Sequence, residues 1–376
     1  MKAIVLVGGE GTRLRPLTYT TPKPLLPIAN QPFLKRQLAW LARYGVDEVV
    51  LSLGYLPDAF EQHFPEGRFG DVVLHYAVED HPLGTAGAIR FAAQGLDERV
   101  VVCNGDVLTT LDLGKLVDFH DARGAEATIC LTKVADPSAF GVVPTRHDGE
   151  VVAFVEKPPK AKAPTNWINA GTYVLEPSVL QRIPERLTVS IERETFPRML
   201  EEPSRMYAMA SDAYWIDIGS PEKYLQAHAD VLAGVLGGEP APGARESTPG
   251  IWIQGDVHVD AEARLIAPVL LGDGARVDAG ARVAGSALGA GASVGAGARV
   301  LRSVVSDHAV LEADAEVIDS VLGPGARLGT GAIASDHSIV GNGATLEAGA
   351  RASGARIRRS DRDAPEPLPA DRARGE

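Results

Sequence analysis

The chain has 376 residues, 45% of them hydrophobic and 23% charged, with a formal net charge of −12 at pH 7. That length exceeds what one compact core usually supports, so two domains are expected. The acidic balance argues against nucleic-acid binding, which needs a basic surface, and no apolar stretch approaches the ~20 residues of a membrane helix. We therefore expect a cytoplasmic protein that binds neither nucleic acid nor membranes. Cys103 and Cys130 lie in apolar runs and are expected to be reduced core residues.

Residues 1–232 alternate short apolar strands with amphipathic helices. Strands are predicted at 3–7, 48–53, 72–77, 100–103 and 127–133. A helix is predicted over 33–43, where Leu34, Leu38 and Leu41 fall on one face. The alternation predicts a Rossmann-like α/β domain with a mostly parallel sheet, whose ligands bind outside the carboxyl ends of the strands.

Beyond residue 232 the composition changes. Residues 233–250 are rich in Gly, Pro and Ala, which predicts a linker. Over 251–354 small residues separate aliphatic ones at intervals of six, with two slips of register: Val259, Leu265, Leu271, Val277, Val283; Leu288, Val294, Val300; then Val304, Val310, Leu322, Leu328, Val340 and Leu346, with Glu316 and Ala334 as weak members. This period predicts a parallel β-helix, because each coil then stacks an aliphatic residue on its neighbour. The charged, Pro-containing residues 355–376 are expected to be disordered.

The first strand runs into GGEGTRLRPLT at 8–18 and then TPKPLLPI at 21–28. Glycines 8, 9 and 11 leave backbone amides exposed, so a phosphate chain can approach them closely. The segment is neither a Rossmann fingerprint nor a Walker A loop, and by itself it could be a tight connection. Arg13, Arg15 and Lys23 favour a phosphate site, because they place cations just downstream of the amides.

Two aspartates stand out in the rest of this region. Asp106 follows the strand at 100–103 directly, although a turn aspartate in Asn-Gly-Asp is an equally good interpretation. Asp217 is flanked by apolar residues in Trp-Ile-Asp-Ile-Gly, and burying such an acid is costly unless it meets a cation. A pair of carboxylates is what Mg²⁺ usually takes from a protein, with substrate phosphates completing its shell.

Several blocks then occur in order: LGTAGA at 83–88, NGDV at 104–107, FVEKP at 154–158, INAGTYVL at 168–175, SIERETFPRML at 190–200 and WIDIGSPEKYL at 215–225. Together with residues 8–28 they resemble the sugar-1-phosphate nucleotidyltransferases over nearly all of the first domain. The resemblance is greatest to the mannose-1-phosphate guanylyltransferases that carry a C-terminal left-handed hexapeptide β-helix. It implies that a nucleoside triphosphate and a sugar 1-phosphate are joined with release of pyrophosphate.

The resemblance also implies residue roles. Mg²⁺ is the implied cofactor, held by Asp106 and Asp217, while Arg13, Lys23 and Lys157 would neutralise phosphate charge during catalysis. The implied nucleotide contacts are Leu6, Gly8, Gly9, Gly11, Thr12, Arg13, Gly84, Thr85, Ala86 and Asp106. The implied sugar-phosphate contacts are Gly141, Glu156, Lys157, Asn169 and Gly171.

Three alternatives stay open. The same chemistry could use glucose 1-phosphate with UTP or dTTP, although the Gly-Thr-Ala turn and the SIERETFP block favour GTP and mannose 1-phosphate. A non-catalytic regulatory relative would bind nucleotide sugars, but it should lack one of the charged site residues. An acyltransferase activity of the β-helix would need a histidine base; His308 and His337 are interpreted instead as solvated turn residues. The β-helix is expected to mediate homo-oligomer contacts.

Overall fold

The computed structural model describes residues 1–202 and 204–359. Contacts between Cα atoms divide the chain into two compact units. The first unit comprises Met1–Glu10, Pro22–Pro27 and Gln31–Ile218; the second comprises Gly11–Thr21, Ile28–Asn30 and the described residues from Gly219 onward. Among the described residues, none of the helices combines the length and the apolar character that crossing a bilayer requires.

From Met1 to Ile218 strands and helices alternate. The strands are β1 (Lys2–Leu6), β2 (Pro27–Ile28), β3 (Gln31–Pro32), β4 (Glu48–Leu53), β5 (Arg68–Phe69), β6 (Val72–Val78), β7 (Val100–Asn104), β8 (Val107–Thr109), β9 (Ala127–Lys133), β10 (Gly141–Val142), β11 (Val155–Glu156), β12 (Trp167–Leu175), β13 (Met206–Ala210) and β14 (Trp215–Asp217). The helices are α1 (Phe33–Arg43), α2 (Pro57–His63), α3 (Gly84–Ala92), α4 (Leu113–Arg123), α5 (Pro177–Arg182) and α6 (Phe196–Glu201), and a π-helical turn, Ile191–Thr195, precedes α6.

The main sheet of the first unit has the order β11-β10-β12-β7-β1-β4-β6-β5, with β9 beside β12 and β13 beside β9. Strands β7, β1, β4 and β6 are parallel, which confirms the predicted α/β arrangement in this part of the sheet. The long strand β12 runs antiparallel to β7, β9 and β10, so the sheet as a whole is mixed.

Apolar residues cover both faces of this sheet. Ala3 and Val5 of β1 belong to one buried cluster and Ile4 to another, as the two-residue period of a strand requires. Helix α1 has the predicted bounds and buries Leu34 and Leu38 in the first of these clusters. Cys103 and Cys130 are free thiols in the core, as expected, and burial raises the pKa of each to about 12. Because β1 pairs parallel with both β4 and β7, the carboxyl ends of these three strands lie at the same edge of the buried sheet.

The second unit consists mainly of short parallel strands. After helix α7 (Pro221–Leu232) the strands are β15 (Arg245–Thr248), β16 (Ile251–Ile253), β17 (His258–Val259), β18 (Arg264–Leu271), β19 (Arg276–Val277), β20 (Arg282–Leu288), β21 (Ser293–Val294), β22 (Arg299–Leu301), β23 (Val304–Val305), β24 (Val310–Leu311), β25 (Glu316–Ile318), β26 (Val321–Leu322), β27 (Arg327–Leu328), β28 (Ile333–Ser335), β29 (Ile339–Val340), β30 (Thr345–Leu346), β31 (Arg351–Ser353) and β32 (Arg356–Ile357). Residues paired between parallel strands of this unit lie 17 or 18 positions apart along the chain. This is the predicted left-handed parallel β-helix.

The coil length corrects the predicted register of the aliphatic stack. The core cluster of the β-helix contains Val305, Leu311 and Val317, and the predicted stack members Val304, Val310 and Glu316 are each one position too early. The reason is that a 17-residue coil has one side of five residues, so the interval shortens from six to five once in such a coil. A neighbouring valine hid this slip from the sequence pattern.

Buried serines line one corner of the β-helix. The hydroxyls of Ser286 and Ser303 accept hydrogen bonds from the amides of Ser303 and Ser320, one coil further on, at 3.0 and 3.1 Å. Each hydroxyl also donates to a carbonyl two residues before it. The ladder therefore satisfies backbone groups at a corner where strand pairing is interrupted.

The boundaries of the units differ from the predicted divisions at 232, 250 and 354. Helix α7 packs on β18 and β20 and belongs to the second unit, because its apolar side, with Tyr224 and Val231, is buried there. The predicted linker contains β15, which pairs antiparallel with β16. Strand β32 extends the β-helix into the predicted tail, of which residues 360–376 lie outside the described residues.

Candidate active site

Glycine-rich loops follow β1, β4 and β7 and lie against one another at the carboxyl edge of the sheet. The amide of Gly105 donates to the carbonyl of Leu6 at 2.9 Å, and a Cβ on Gly105 would meet Val7 at 2.4 Å. A Cβ on Gly8 would lie 3.3 Å from the amide nitrogen of Gly54. Gly9 differs, since a Cβ there would meet nothing within 4 Å. Packing therefore explains the glycine at 105 but not the one at 9.

Lys23 and Asp106 form an ion pair at this edge. The Lys23 Nζ lies 2.6 Å from the Asp106 Oδ2, and the side chains are 14% and 30% exposed. Asp106 stands between β7 and β8, and Lys23 comes from a single 3-10 turn, Lys23–Leu25. Two separate sequence motifs predict that these residues share one site, and the structure brings them into direct contact.

Asp217 reaches the same place by strand pairing. It is the last residue of β14, where it lies opposite Val107 of β8, and the amide of Ile218 donates to the carbonyl of Asp106 at 2.9 Å. Opposed residues in an antiparallel pair and consecutive residues along a chain have short Cα separations, so the Cα atoms of Asp106 and Asp217 are at most about 9 Å apart. The Trp215 indole, which donates to the carbonyl of Ala170 at 2.9 Å, ties β14 to β12.

A bulge in β12 holds the predicted Asn169 and Gly171. The Asn169 side chain donates to the Tyr173 hydroxyl at 2.6 Å and accepts from the amide of Gly171 at 2.9 Å. Gly171 is buried at φ +71°, and a Cβ there would collide with the Asn104 side chain at 2.5 Å. Gly171 thus makes room for Asn104, while Asn169 is the half-buried member of this group. Burial raises the pKa of the Tyr173 hydroxyl well above its ordinary value, so it remains protonated.

Glu156 is the last residue of the edge strand β11, and Lys157 follows it. Glu156 lies opposite Gly141 of β10, and a Cβ on Gly141 would come within 3.0 Å of the Glu156 carboxylate. Lys157 has φ +48°, an uncommon conformation for a residue with a side chain, and its amide donates to the carbonyl of Phe140 at 3.0 Å. Its Nζ lies 3.5 Å from Glu156, and 56% of its side chain is exposed. An unusual backbone conformation therefore presents a cation to solvent beside a carboxylate.

The LGTAGA turn opens α3 and is clamped by the chain around residue 190. The Ala86 amide donates to the carbonyl of Val189 at 2.9 Å, and the Thr85 hydroxyl donates to Glu192 at 2.7 Å. Ala86 is fully buried and its amide is already used. Gly84 and Thr85, which are half-buried, remain the better placed of the three predicted nucleotide contacts in this turn.

Gly11, Thr12 and Arg13 belong to the second compact unit. Thr12 and Arg13 begin a 3-10 turn and are exposed. Leu6 ends β1 and is half-buried.

Comparison with known proteins bears on this site. The family described as Nucleotidyl transferase matches residues 2–234. A mannose-1-phosphate guanylyltransferase of Mycobacterium tuberculosis is 42% identical over 282 residues, which are 74% of this chain and 77% of the relative. The chain belongs to the nucleotidyl transferase family.

Other relatives agree with this assignment. The mannose-1-phosphate guanylyltransferase catalytic subunit beta of Danio rerio is 41% identical over 269 residues, covering 70% of this chain and 72% of the relative. The crystal structure of HddC from Yersinia pseudotuberculosis superposes with a TM-score of 0.53 at 31% identity, covering 60% of this chain and 97% of that one. This protein is therefore an enzyme that transfers nucleotidyl groups.

Nucleotidyltransferases of this family generally use a divalent metal ion. Asp106 and Asp217 fit such an ion, because strand pairing brings the two residues together and Lys23 contacts only one oxygen of Asp106. Among residues 1–202 and 204–359 no group of three or more His, Cys, Asp or Glu could hold a metal. A carboxylate pair with substrate phosphates completing the shell is the arrangement that Mg²⁺ commonly takes.

Two charged residues of this region, Glu79 and Arg193, are not among the residues predicted from the sequence. Glu79 directly follows β6 at the carboxyl edge of the sheet, where it accepts hydrogen bonds from Ser52 at 3.1 Å and from the amide of Leu83 at 2.9 Å. Arg193 lies in the π-helical turn, 4.0 Å from the Glu156 carboxylate and 64% exposed. Glu79 could have been noticed from its place after a strand, whereas Arg193 depends on a π-turn that no sequence pattern indicates.

Proposed function

We propose that this nucleotidyltransferase joins GTP to mannose 1-phosphate, giving GDP-mannose and pyrophosphate. One geometric feature supports this proposal best. At the carboxyl edge of the sheet, Lys23 contacts Asp106, and strand β14 brings Asp217 beside them. Relatives named mannose-1-phosphate guanylyltransferase, about 40% identical over most of their length, support the choice of substrates.

The reaction we propose is an in-line attack. An oxygen of the sugar phosphate forms a bond to the α-phosphorus of the triphosphate, and the bond from that phosphorus to the pyrophosphate oxygen breaks. The attacking phosphate is already ionised near neutral pH, so no general base is needed, and catalysis consists of positioning and charge neutralisation. A divalent cation on Asp106 and Asp217, which we take to be Mg²⁺, would neutralise phosphate charge and polarise the α-phosphate.

The protein residues would divide the remaining work. Lys23 would help to neutralise the charge of the sugar phosphate, as predicted, and it would also orient the Asp106 carboxylate, with which it is paired. Lys157, exposed on its unusual turn, would meet the phosphate of the sugar, with Glu156 beside it accepting hydrogen bonds from sugar hydroxyls. Arg13, with the amides of residues 8–12, would hold the departing pyrophosphate.

A substrate matrix tests this proposal. Five nucleoside triphosphates are combined with mannose, glucose, galactose and glucosamine 1-phosphates, and pyrophosphate release is measured in the presence of Mg²⁺. The expected result is the highest kcat/KM for GTP with mannose 1-phosphate. A preference for UTP or dTTP with glucose 1-phosphate would keep the chemistry and change the specificity, whereas no release in any combination would contradict the proposal.

Two alternatives are disfavoured by particular observations. A regulatory relative without catalysis should lack a charged site residue, but Arg13, Lys23, Asp106, Lys157 and Asp217 are all present. An acyltransferase site is disfavoured because coils of 17 or 18 residues follow one another without an inserted loop over the described part of the β-helix. His308 lies in an exposed turn at φ +57°. Homo-oligomers formed through the β-helix and a cytoplasmic location stay predictions.

A further inference from the structure

The segment Gly11–Thr21 carries Arg13 but belongs to the same compact unit as the β-helix. It is folded on itself, since the Thr18 hydroxyl donates to the carbonyl of Gly11 at 2.9 Å and two 3-10 turns, Thr12–Leu14 and Leu17–Tyr19, shape it. Leu14 and Leu17 are buried, whereas Arg13 is exposed. The segment therefore has one anchored side and one side that faces solvent.

The segment packs against two glycines of the β-helix. Gly323 and Gly341 lie on adjacent coils, because the Gly323 amide donates to the carbonyl of Val340 at 2.8 Å. A Cβ on Gly341 would come within 2.7 Å of Pro16, and one on Gly323 within 2.9 Å of Leu17. The absence of side chains at these two positions lets the segment pack directly on the coil surface.

Two polar contacts fix the far end of the segment. The Asn342 side-chain amide donates to the Thr20 hydroxyl at 2.6 Å. The Arg358 guanidinium lies 4.9 Å from the centre of the Tyr19 ring, on which Arg15 also stacks at 5.1 Å. These contacts join residues more than three hundred positions apart, so they can hold the segment only when the β-helix is folded.

We propose that Asn342 and Arg358 are positioning residues for the triphosphate: the β-helix holds Gly11–Thr21 in the form in which Arg13 meets the pyrophosphate group. This inference rests on the proposed function. Among the described residues, Arg13 has no hydrogen-bond or ion-pair partner of its own. The backbone that carries Arg13 must therefore be held in place by the anchored side of the segment. A segment ordered in advance loses less conformational entropy when a ligand binds.

The test compares the double variant Asn342→Ala/Arg358→Ala with the control Thr345→Ala/Arg351→Ala. The control removes the same charge and a similar polar group from exposed β-helix positions, whose strand partners are Arg327 and Ile333 of the neighbouring coil. We expect the double variant to raise the KM of GTP, and that of pyrophosphate in the reverse reaction, about tenfold, as the loss of a hydrogen bond and a cation–π contact predicts. The KM of mannose 1-phosphate should stay within about twofold, because this substrate does not depend on Arg13.

Two further variants separate positioning from general stability. Thr20→Val removes the same hydrogen bond from the segment side and should raise the same two KM values without affecting the β-helix. Asn342→Asp can still accept a hydrogen bond from the Thr20 hydroxyl and should restore most of the affinity. Parent-like KM values for GTP and pyrophosphate in both Thr20→Val and the double variant would overturn the inference.

A readout without activity keeps the inference distinct from the proposed function. Trypsin cleaves after exposed arginines, and mass spectrometry of the intact proteins can monitor cleavage after Arg13. This cleavage should be several-fold faster in the double variant than in the control. Equal cleavage rates would contradict the anchoring even if the parent enzyme used other substrates. If trypsin cleaves the double variant faster than the control, as expected, but the parent protein releases no pyrophosphate from any substrate pair, only the proposed function is contradicted.

Discussion

Lys157 shows how a residue that looks ordinary in the sequence becomes a candidate by its geometry. A surface lysine before two prolines could have any role, but its left-handed backbone conformation is uncommon for a residue with a side chain. The surroundings impose that conformation through the hydrogen bond to Phe140, and the result is an ammonium group held out beside Glu156. Strain of this kind tends to persist where it serves a ligand.

Lys157→Ala should lower kcat/KM about a hundredfold, because a preorganised cation that meets the transferring group is lost. The melting temperature should remain unchanged, since 56% of the side chain is exposed and surface ion pairs contribute little to stability. Lys162→Ala is the matched control, an exposed lysine of the same segment. Equal steady-state kinetics of the two variants would remove Lys157 from the mechanism.

Gly9 borders open space, with no described residue other than its chain neighbours within 4 Å of where a Cβ would lie. Gly9→Ala should leave the free energy of unfolding within about 0.5 kcal/mol of the parent, because the new methyl group would contact nothing in the protein. It should nevertheless weaken GTP binding, since the methyl group occupies the path by which phosphate approaches the amides.

Gly105→Ala is the contrasting variant. It should destabilise the protein by about 1–3 kcal/mol, because its methyl group would overlap Val7 and the carbonyl of Leu6. Chemical unfolding and isothermal calorimetry with GTP measure both effects. An unchanged GTP affinity in Gly9→Ala would mean that phosphate does not approach there.

At the scale of elements, regular patterns predicted the fold well. The parallel strands and helix α1 were predictable because hydrophobic periodicity reports burial directly. The long strand β12 was not predicted, because its antiparallel pairing with β7 and β9 depends on a bulge at Asn169 and Gly171. The predicted register of the β-helix is wrong over residues 304–316. The adjacent Val304 and Val305 are each followed six positions later by an aliphatic residue, so the sequence cannot tell which of them belongs to the buried stack.

The candidate site was predictable to a different degree. Motif resemblance selected Lys23 and Asp106, which the structure joins. No sequence pattern indicated that Gly11–Thr21 would belong with the β-helix, since contacts such as Asn342 with Thr20 link positions remote in the chain. Composition and periodicity describe local structure, and they contain no information about such pairings.

The corrected register of the β-helix can be tested directly. Leu311→Ala should destabilise the protein by about 2–5 kcal/mol, because it leaves a cavity in a fully packed coil. Val310→Ala, one position earlier, should cost far less, since that side chain is only partly buried. Thermal unfolding followed by circular dichroism compares the two. A larger loss for Val310→Ala would restore the register predicted from the sequence.

At the scale of the whole molecule, each compact unit has its own physical basis. The first unit is built on a sheet whose carboxyl edge collects Gly8, Lys23, Asp106 and Asp217. The second is a stack of similar coils, in which each coil contacts mainly its neighbours. The chain crosses between the units at residues 10–11 and 21–22, on either side of the segment that carries Arg13. The segment is thus joined to the first unit at both of its ends.

In the mechanism we propose, Asp106 and Asp217 together hold the metal ion on which nucleotidyl transfer depends. The most direct measurement is the rate of pyrophosphate release as a function of Mg²⁺ concentration for the parent, Asp217→Asn and the exposed control Asp212→Asn. We predict that Asp217→Asn raises the half-saturating Mg²⁺ concentration at least about tenfold, the lower end of what losing even an outer partner of a metal costs. Asp212→Asn should follow the parent curve. A curve for Asp217→Asn that overlays the parent's would show that Asp217 does not hold the metal ion.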